Sequence, residues 1–260
     1  MTEPARPGHG ILDELYPEVG AGGFSRSDGT VEFWSRVQAL VGPGHDVLDL
    51  GAGRGRGPAE DGVAWRRDLQ SLRGRARHVV GLDVDPAVRE NPSLDEALVY
   101  DGSGRFPLDD HSVDLVVSDF TFEHLDDPSR TVAEIVRVLR PGGWVCARTP
   151  NRWGYIGIGG RLVPNLLHRR VLPRLQPTST RRDEDVFPTR YRLNTRSALL
   201  AAFPSTAWEH HTYVQHPEPL YFGRSKVLWR AVRRLGPLLP DGVAPVLLVF
   251  VRRRAPETAS

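Results

Sequence analysis

The run HDVLDLGAGRGRG, from His45 to Gly57, constrains the chain more than any other stretch. Val47, Leu48 and Leu50 make the core of an apolar strand, and Asp49 stands near its end. Gly51, Gly53 and Gly55 follow at once, with Ala52 and Arg54 between them. Glycine takes up the positive φ of a tight turn at no steric cost and lets a ligand approach the backbone closely. A helix that opens after such a turn presents free N–H groups and the positive end of its dipole. This is nucleotide-site geometry, although a plain turn also needs glycine. The spacing is G-x-G-x-G. The dinucleotide fingerprint G-x-G-x-x-G requires its third glycine at position 56, where Arg56 stands.

Downstream, His78–Leu82 reads as a second strand that runs into Asp83. A ribose offers two hydroxyl donors, and a carboxylate at a strand's C-terminal end can accept from both. Asp83 fits better than Asp85, because it is the first residue past the apolar run. The gap from Gly51 to Asp83 exceeds the usual spacing of about 20 residues. The arginine-rich segment before His78 therefore reads as an insertion, a mostly exposed helix carrying Val63, Leu69 and Leu72. Ala97–Tyr100 is a short third strand, followed by Asp101-Gly102, which also reads as a simple Asp-Gly turn. Val113–Val117 is a buried parallel strand leading to Asp119. Pro128–Leu139 is a helix with Val132, Ile135, Val136 and Leu139 on one face. Arg140-Pro141-Gly142-Gly143 stops it ahead of a fifth strand, Trp144–Arg148.

The order of these motifs over residues 45–149 resembles the class I S-adenosylmethionine-dependent methyltransferases, of the small-molecule, type 11-like kind. The resemblance implies a Rossmann-like α/β fold: a seven-stranded, mostly parallel sheet with helices on both faces and an antiparallel last strand. It implies S-adenosyl-L-methionine as cofactor. In that family the glycine loop wraps the cofactor's amino-acid end, which assigns Asp49, Gly51, Ala52, Gly53 and Gly55 to it. Asp83 corresponds to the ribose acid, and Asp101 and Gly102 to the pair that meets adenine. Arg105-Phe106-Pro107-Leu108 matches a run that precedes strand four and brings Phe106 near the purine. Asp119 and the Glu123-His124-Leu125 triplet fall where the family faces the transferring methyl group. There His124 is a candidate general base or substrate partner, or else only orients its loop.

Outside the motifs the chain is read as one domain, 1–260, with two additions. Residues 1–29, rich in glycine, proline and serine, are expected to be flexible, apart from a short amphipathic turn through Ile11, Leu12, Leu15 and Tyr16 that docks on the core or lids the site. Asp28 or Thr30 caps a helix reaching Val41, with Trp34 packed beneath the sheet. Residues 152–190 form a lid-like insertion, whose part 161–175 alternates leucines and valine with arginines. That part is expected to cover the site or to make peripheral membrane contact. Tyr191 and Arg192 are candidates for an acceptor pocket. A helix over Arg196–Phe203, a strand over Trp208–Val214 and a basic helix over Gly223–Leu235 follow. The antiparallel last strand is assigned to Val246–Val251.

Composition narrows the alternatives. A net charge of +2 creates no field that demands nucleic acid, and no nucleic-acid partner is expected. The single Cys146 rules out an intrachain disulfide or a cysteine metal cluster. His210 and His211, adjacent on a strand, point to opposite faces, so no metal is expected. No signal-like or membrane-spanning run occurs, and a cytoplasmic location is expected. A nicotinamide-dependent oxidoreductase is the main alternative. Arg56 in the third glycine's place counts against it, as does the absence of a Tyr-x-x-x-Lys pair, since Phe222 precedes Lys226 by four. A non-catalytic nucleotide-binding module of the same fold is another. The acceptor is expected to be a small molecule or a glycan- or lipid-linked group, methylated on oxygen.

Overall fold

The computed structural model describes residues 10–102, 104–162, 188–222 and 225–255. Five parallel strands form the larger part of a central sheet: β1 (Asp46–Leu50), β2 (His78–Asp83), β3 (Glu96–Val99), β4 (Val113–Asp119) and β5 (Leu139–Pro150). Three more, β6 (Trp208–His210), β7 (Tyr213–Gln215) and β8 (Val246–Arg253), complete it. The order is β3-β2-β1-β4-β5-β8-β6, with β8 antiparallel to β5 and β7 also on β8. The described residues thus hold eight strand segments where seven strands are expected. The difference is small, because β6 and β7 keep one register along β8. Trp208 lies opposite Arg253 and Tyr213 opposite Leu248. The expected sixth strand is therefore a single edge strand, interrupted at His211 and Thr212.

Alternation along the strands divides the core. Val47, Leu115 and Val117 face one side and pack with Phe33, Trp34 and Val37 of the helix Gly29–Leu40. Leu48, Leu50 and Val116 face the other, against Val132 and Ile135 of the helix Pro128–Val138 and Leu199 of the helix Arg196–Ala202. The first of these helices starts where Asp28 accepts from the N–H groups of Thr30 (2.9 Å) and Val31 (3.0 Å). The second is capped in the same way by Asp127.

Three expectations change. The segment between β1 and β2 forms two short helices, Arg56–Glu60 and Ala64–Leu69, instead of one. Asp61 breaks it, because its carboxylate accepts from Val63 N–H at 2.9 Å and from the Arg66 guanidinium. The described part of the N-terminal segment is packed rather than loose. Ile11–Leu15 is helical, and Leu15, Tyr16 and Val19 are buried against Trp229, near the other end of the chain. The fifth strand begins at Leu139, earlier than expected. Its pairing with β4 slips between Val113 and Leu115, and Gly142 turns there with φ +84°. A helix, Tyr155–Leu162, opens the expected lid insertion, but residues 163–187 lie outside the described residues, and with them nearly all of the basic stretch 161–175.

Candidate functional site

A cavity of about 620 Å³ opens at the carboxyl edge of the parallel strands. Gly51, Ala52, Gly53 and Gly55 line it from the β1 side, Asp83 from the end of β2, Asp119 from the end of β4 and His124 from beyond it. All three glycines have positive φ, at +76°, +49° and +69°. They are needed for different reasons. A Cβ on Gly51 would stand 2.1 Å from the Thr121 hydroxyl, and one on Gly55 2.2 Å from Asn91 Oδ1. Beside Gly53 there is open space. Two of the glycines therefore admit neighbouring side chains, and the third leaves the loop open to a ligand.

The loop is fastened through its main chain. Gly51 N–H donates to Leu82 O at 2.8 Å. Asp83 accepts from Gly53 N–H on Oδ2 and from Asp85 N–H on Oδ1, each at 2.8 Å. Each oxygen keeps further lone-pair capacity, so Asp83 can shape the loop and still receive a ribose hydroxyl. Asn91, buried, donates to Ala52 O at 3.0 Å and Gly53 O at 3.3 Å. No sequence pattern marks Asn91.

Asp49 sits on β1 behind the cavity and is not among its lining residues. Burial, then the Asp119 and Asp83 carboxylates, push its pKa up to about 7. Asp101 is exposed and lies outside the lining, although its neighbours Tyr100 and Gly102 belong to it. Gly102 has φ +75°, so the Asp-Gly turn is present while the carboxylate is not brought to the cavity. Phe106 lines the cavity and packs edge-on to Tyr100, with ring centroids 5.5 Å apart.

The far wall is built by side chains. Asp119 is held in a two-pronged pair with Arg148, at 2.7 and 2.6 Å, and also accepts from Trp34 Nε1 at 3.2 Å. Arg148 is buried, its guanidinium over the rings of Phe120 (4.7 Å) and Phe33 (5.5 Å). Phe120 itself has φ +55°, a strained value for a bulky residue, and is fixed by its N–H to Arg148 O at 2.8 Å. An arginine inside the apolar strand WVCARTP was the one sequence signal for this assembly. His124 Nδ1 lies 3.1 Å from Pro188 O, and its Nε2 is 3.9 Å from Glu123 Oε1. Because a carbonyl only accepts, Nδ1 is the ring nitrogen that carries a proton in this contact. Glu123 is buried and accepts from Thr149 Oγ1 at 3.0 Å. Tyr191, also buried, and Arg192 are not among the lining residues, whereas Pro188 and Arg190 are.

Glycine loop, acidic strand end and sheet order together define a class I S-adenosylmethionine-dependent methyltransferase fold. Residues 48–147 match the family model described as a methyltransferase domain, and the chain carries that domain. A protein of Mycolicibacterium smegmatis named a probable S-adenosylmethionine-dependent methyltransferase is 41% identical over 135 residues, 50% of this chain and 47% of that one. A Mycobacterium tuberculosis protein of the same description is 36% identical over 132 residues, 49% of this chain and 43% of that one. The chain thus spans just under half the length of these relatives. Among solved structures, geranyl diphosphate C-methyltransferase of Streptomyces coelicolor, with S-adenosyl-L-homocysteine bound, superposes with a TM-score of 0.53 at 17% identity. The superposition covers 96% of this chain and 86% of that one and is a likeness of fold. The nicotinamide alternative is set aside, since the matched model and relatives are methyltransferases. No helix among the described residues is long and apolar enough to cross a membrane, and no group of three or more potential metal ligands occurs among them.

Proposed function

We propose that the chain transfers a methyl group from S-adenosylmethionine to an oxygen of a small-molecule or glycan- or lipid-linked acceptor. One observation carries the reading: a loop with three left-handed glycines faces, across one cavity, a wall that ends in a histidine. When bound, the cofactor supplies a methyl group already activated on a sulfonium, so the protein's task is alignment and exclusion of water. Gly51, Ala52, Gly53 and Gly55 cradle its amino-acid end, with Asp49 behind them. Asp83 receives the ribose hydroxyls, and Gly102, with Asp101 at the rim, borders the adenine. Asp119, anchored by Arg148, holds Phe120 and the methyl-facing loop in place.

His124 Nε2 takes the acceptor's proton, and the buried Glu123 carboxylate favours the resulting imidazolium. Residues 152–190 act as the lid over the acceptor, and the stretch 161–175 is the expected peripheral membrane contact of a cytoplasmic enzyme. Calorimetric titration with S-adenosylmethionine, S-adenosylhomocysteine and NAD tests the cofactor. Binding of NAD in preference to the other two would overturn the reading. Mass spectrometry of cell extract incubated with the pure protein and methyl-labelled cofactor then identifies the acceptor and the methylated atom.

A further inference from the structure

We propose that the helix Lys226–Leu235 and the turns after it form a face that docks on an anionic lipid bilayer. The helix is strongly amphipathic, yet its apolar stripe is not the side packed on the protein. Trp229 is the side chain it buries, against Leu15, Tyr16 and Val19. Val227, Ala231, Leu228 and Leu235 fall together on another side by helical spacing. Of these, Val227 is 74% exposed, and Leu228 and Leu235 are about half exposed. The stripe continues into the next turns, where Leu238 is 79% exposed and Leu239 53%. Exposed leucines concentrated in this way mark an interaction surface. Beside them an apolar recess of about 290 Å³ opens between Val232, Leu239, Phe222 and Tyr155.

Charge selects the occupant. The helix carries Lys226, Arg230, Arg233 and Arg234 and no acid. Glu14 answers Lys226 and Arg230, and Arg233 donates to Leu15 O and lies 5.4 Å from the Tyr16 ring centroid. Asp241, which follows the leucines in sequence, pairs with Arg196. An apolar stripe with a cationic flank is the pattern that inserts into a headgroup layer and attracts anionic lipid. A second copy laid face to face would set the two cationic flanks against each other. Trp153, half exposed, adds an interfacial aromatic at the same edge, where Asn151 N–H meets Pro245 O at 2.9 Å. This edge, at the end of β5, is also the one on which the candidate site opens.

Flotation of the full chain with vesicles of phosphatidylglycerol and phosphatidylcholine tests the proposal. Binding is expected to these vesicles, to fall at high salt, and to be absent on pure phosphatidylcholine. L228E/L238E should bind at least about tenfold more weakly, and R230Q/R234Q roughly tenfold more weakly. Both should keep the cofactor affinity of the unaltered chain, so the outcome is read separately from the methyl-transfer proposal. If L228E/L238E fails to fold, R230Q/R234Q and the salt dependence decide. No flotation with anionic vesicles would overturn the proposal. So would salt-independent binding to pure phosphatidylcholine. A concentration-dependent dimer that L228E/L238E abolishes would assign the face to a second copy instead.

Discussion

On the β1–β2 side of the cavity the main chain carries the shape. Gly51, Gly53 and Gly55 hold left-handed φ values, and Asp83 and Asn91 fasten the loop by its own N–H and C=O groups. On the β4–β5 side the shape rests on side chains far apart in sequence. Arg148 ties Asp119, Phe120 and Phe33 together, and His124 leans on Pro188 at the far end of the insertion. A main-chain cradle suits a ligand that never changes, and a side-chain wall can be rebuilt for a new acceptor without disturbing it. The contrast predicts that the two walls fail differently when mutated.

The largest effect is expected at the side-chain wall. His124→Ala should lower turnover by roughly 10²–10⁴-fold with cofactor affinity unchanged. The readout is kcat for methyl transfer beside a calorimetric Kd for the cofactor. Near-normal turnover would leave catalysis on this wall to positioning alone. Cofactor affinity lost in step with turnover would instead make His124 part of the cradle and blur the contrast.

The glycine loop should fail through folding. In Gly51→Ala a left-handed φ, worth about 1–2 kcal/mol, adds to a Cβ placed on Thr121, worth about 1–3 kcal/mol. A loss of about 2–5 kcal/mol in chemical denaturation is expected. Gly53→Ala meets no neighbour and should cost only the conformational part, about 1–2 kcal/mol, while weakening cofactor binding. Equal losses in the two variants would show that the close approach of Thr121 relaxes freely. Asp83→Ala should weaken cofactor binding by about 1.5–3 kcal/mol, the range for hydrogen bonds to a charged group. Unchanged affinity would remove Asp83 from the ribose.

The same contrast explains what the sequence discloses. Gly51, Gly53, Gly55 and Asp83 were readable because strand end, turn and next strand end follow one another at short spacing. Their positive φ values and the Gly53–Asp83 bond are consequences of that local order. Asp101 was expected at the cavity and stands outside its lining, since an Asp-Gly pair announces a turn but not which way its carboxylate faces. Arg148 escaped notice as the anchor of Asp119 because that pairing comes from the register of β4 on β5, where the two residues lie opposite each other. Val19 reads as part of a loose segment because its partner, Trp229, comes near the other end of the chain. Local chemistry survives in a sequence, whereas contacts made by topology do not.

The smallest effect links the two walls through Asp49, whose pKa is raised by burial and then by Asp119 on one side and Asp83 on the other. Its folded pKa, about 7, lies above the ordinary 3.8, so the folded protein holds a proton between these values that the unfolded chain has released. Stability from this group is therefore complete below pH 3.8 and is lost as pH rises through about 7. Lowering the pH from about 8 to about 6 should add about 1 kcal/mol to the stability of the ligand-free protein. Asp49→Asn should lack this gain, because its amide does not titrate. If a cationic cofactor settles above Asp49, its charge favours the carboxylate, and cofactor affinity should fall over the same pH interval in the unaltered protein but not in the variant. Denaturant midpoints and cofactor Kd measured across that interval for both proteins decide the matter. Parallel pH slopes in the two proteins would place the titrating group elsewhere and leave the walls electrostatically independent.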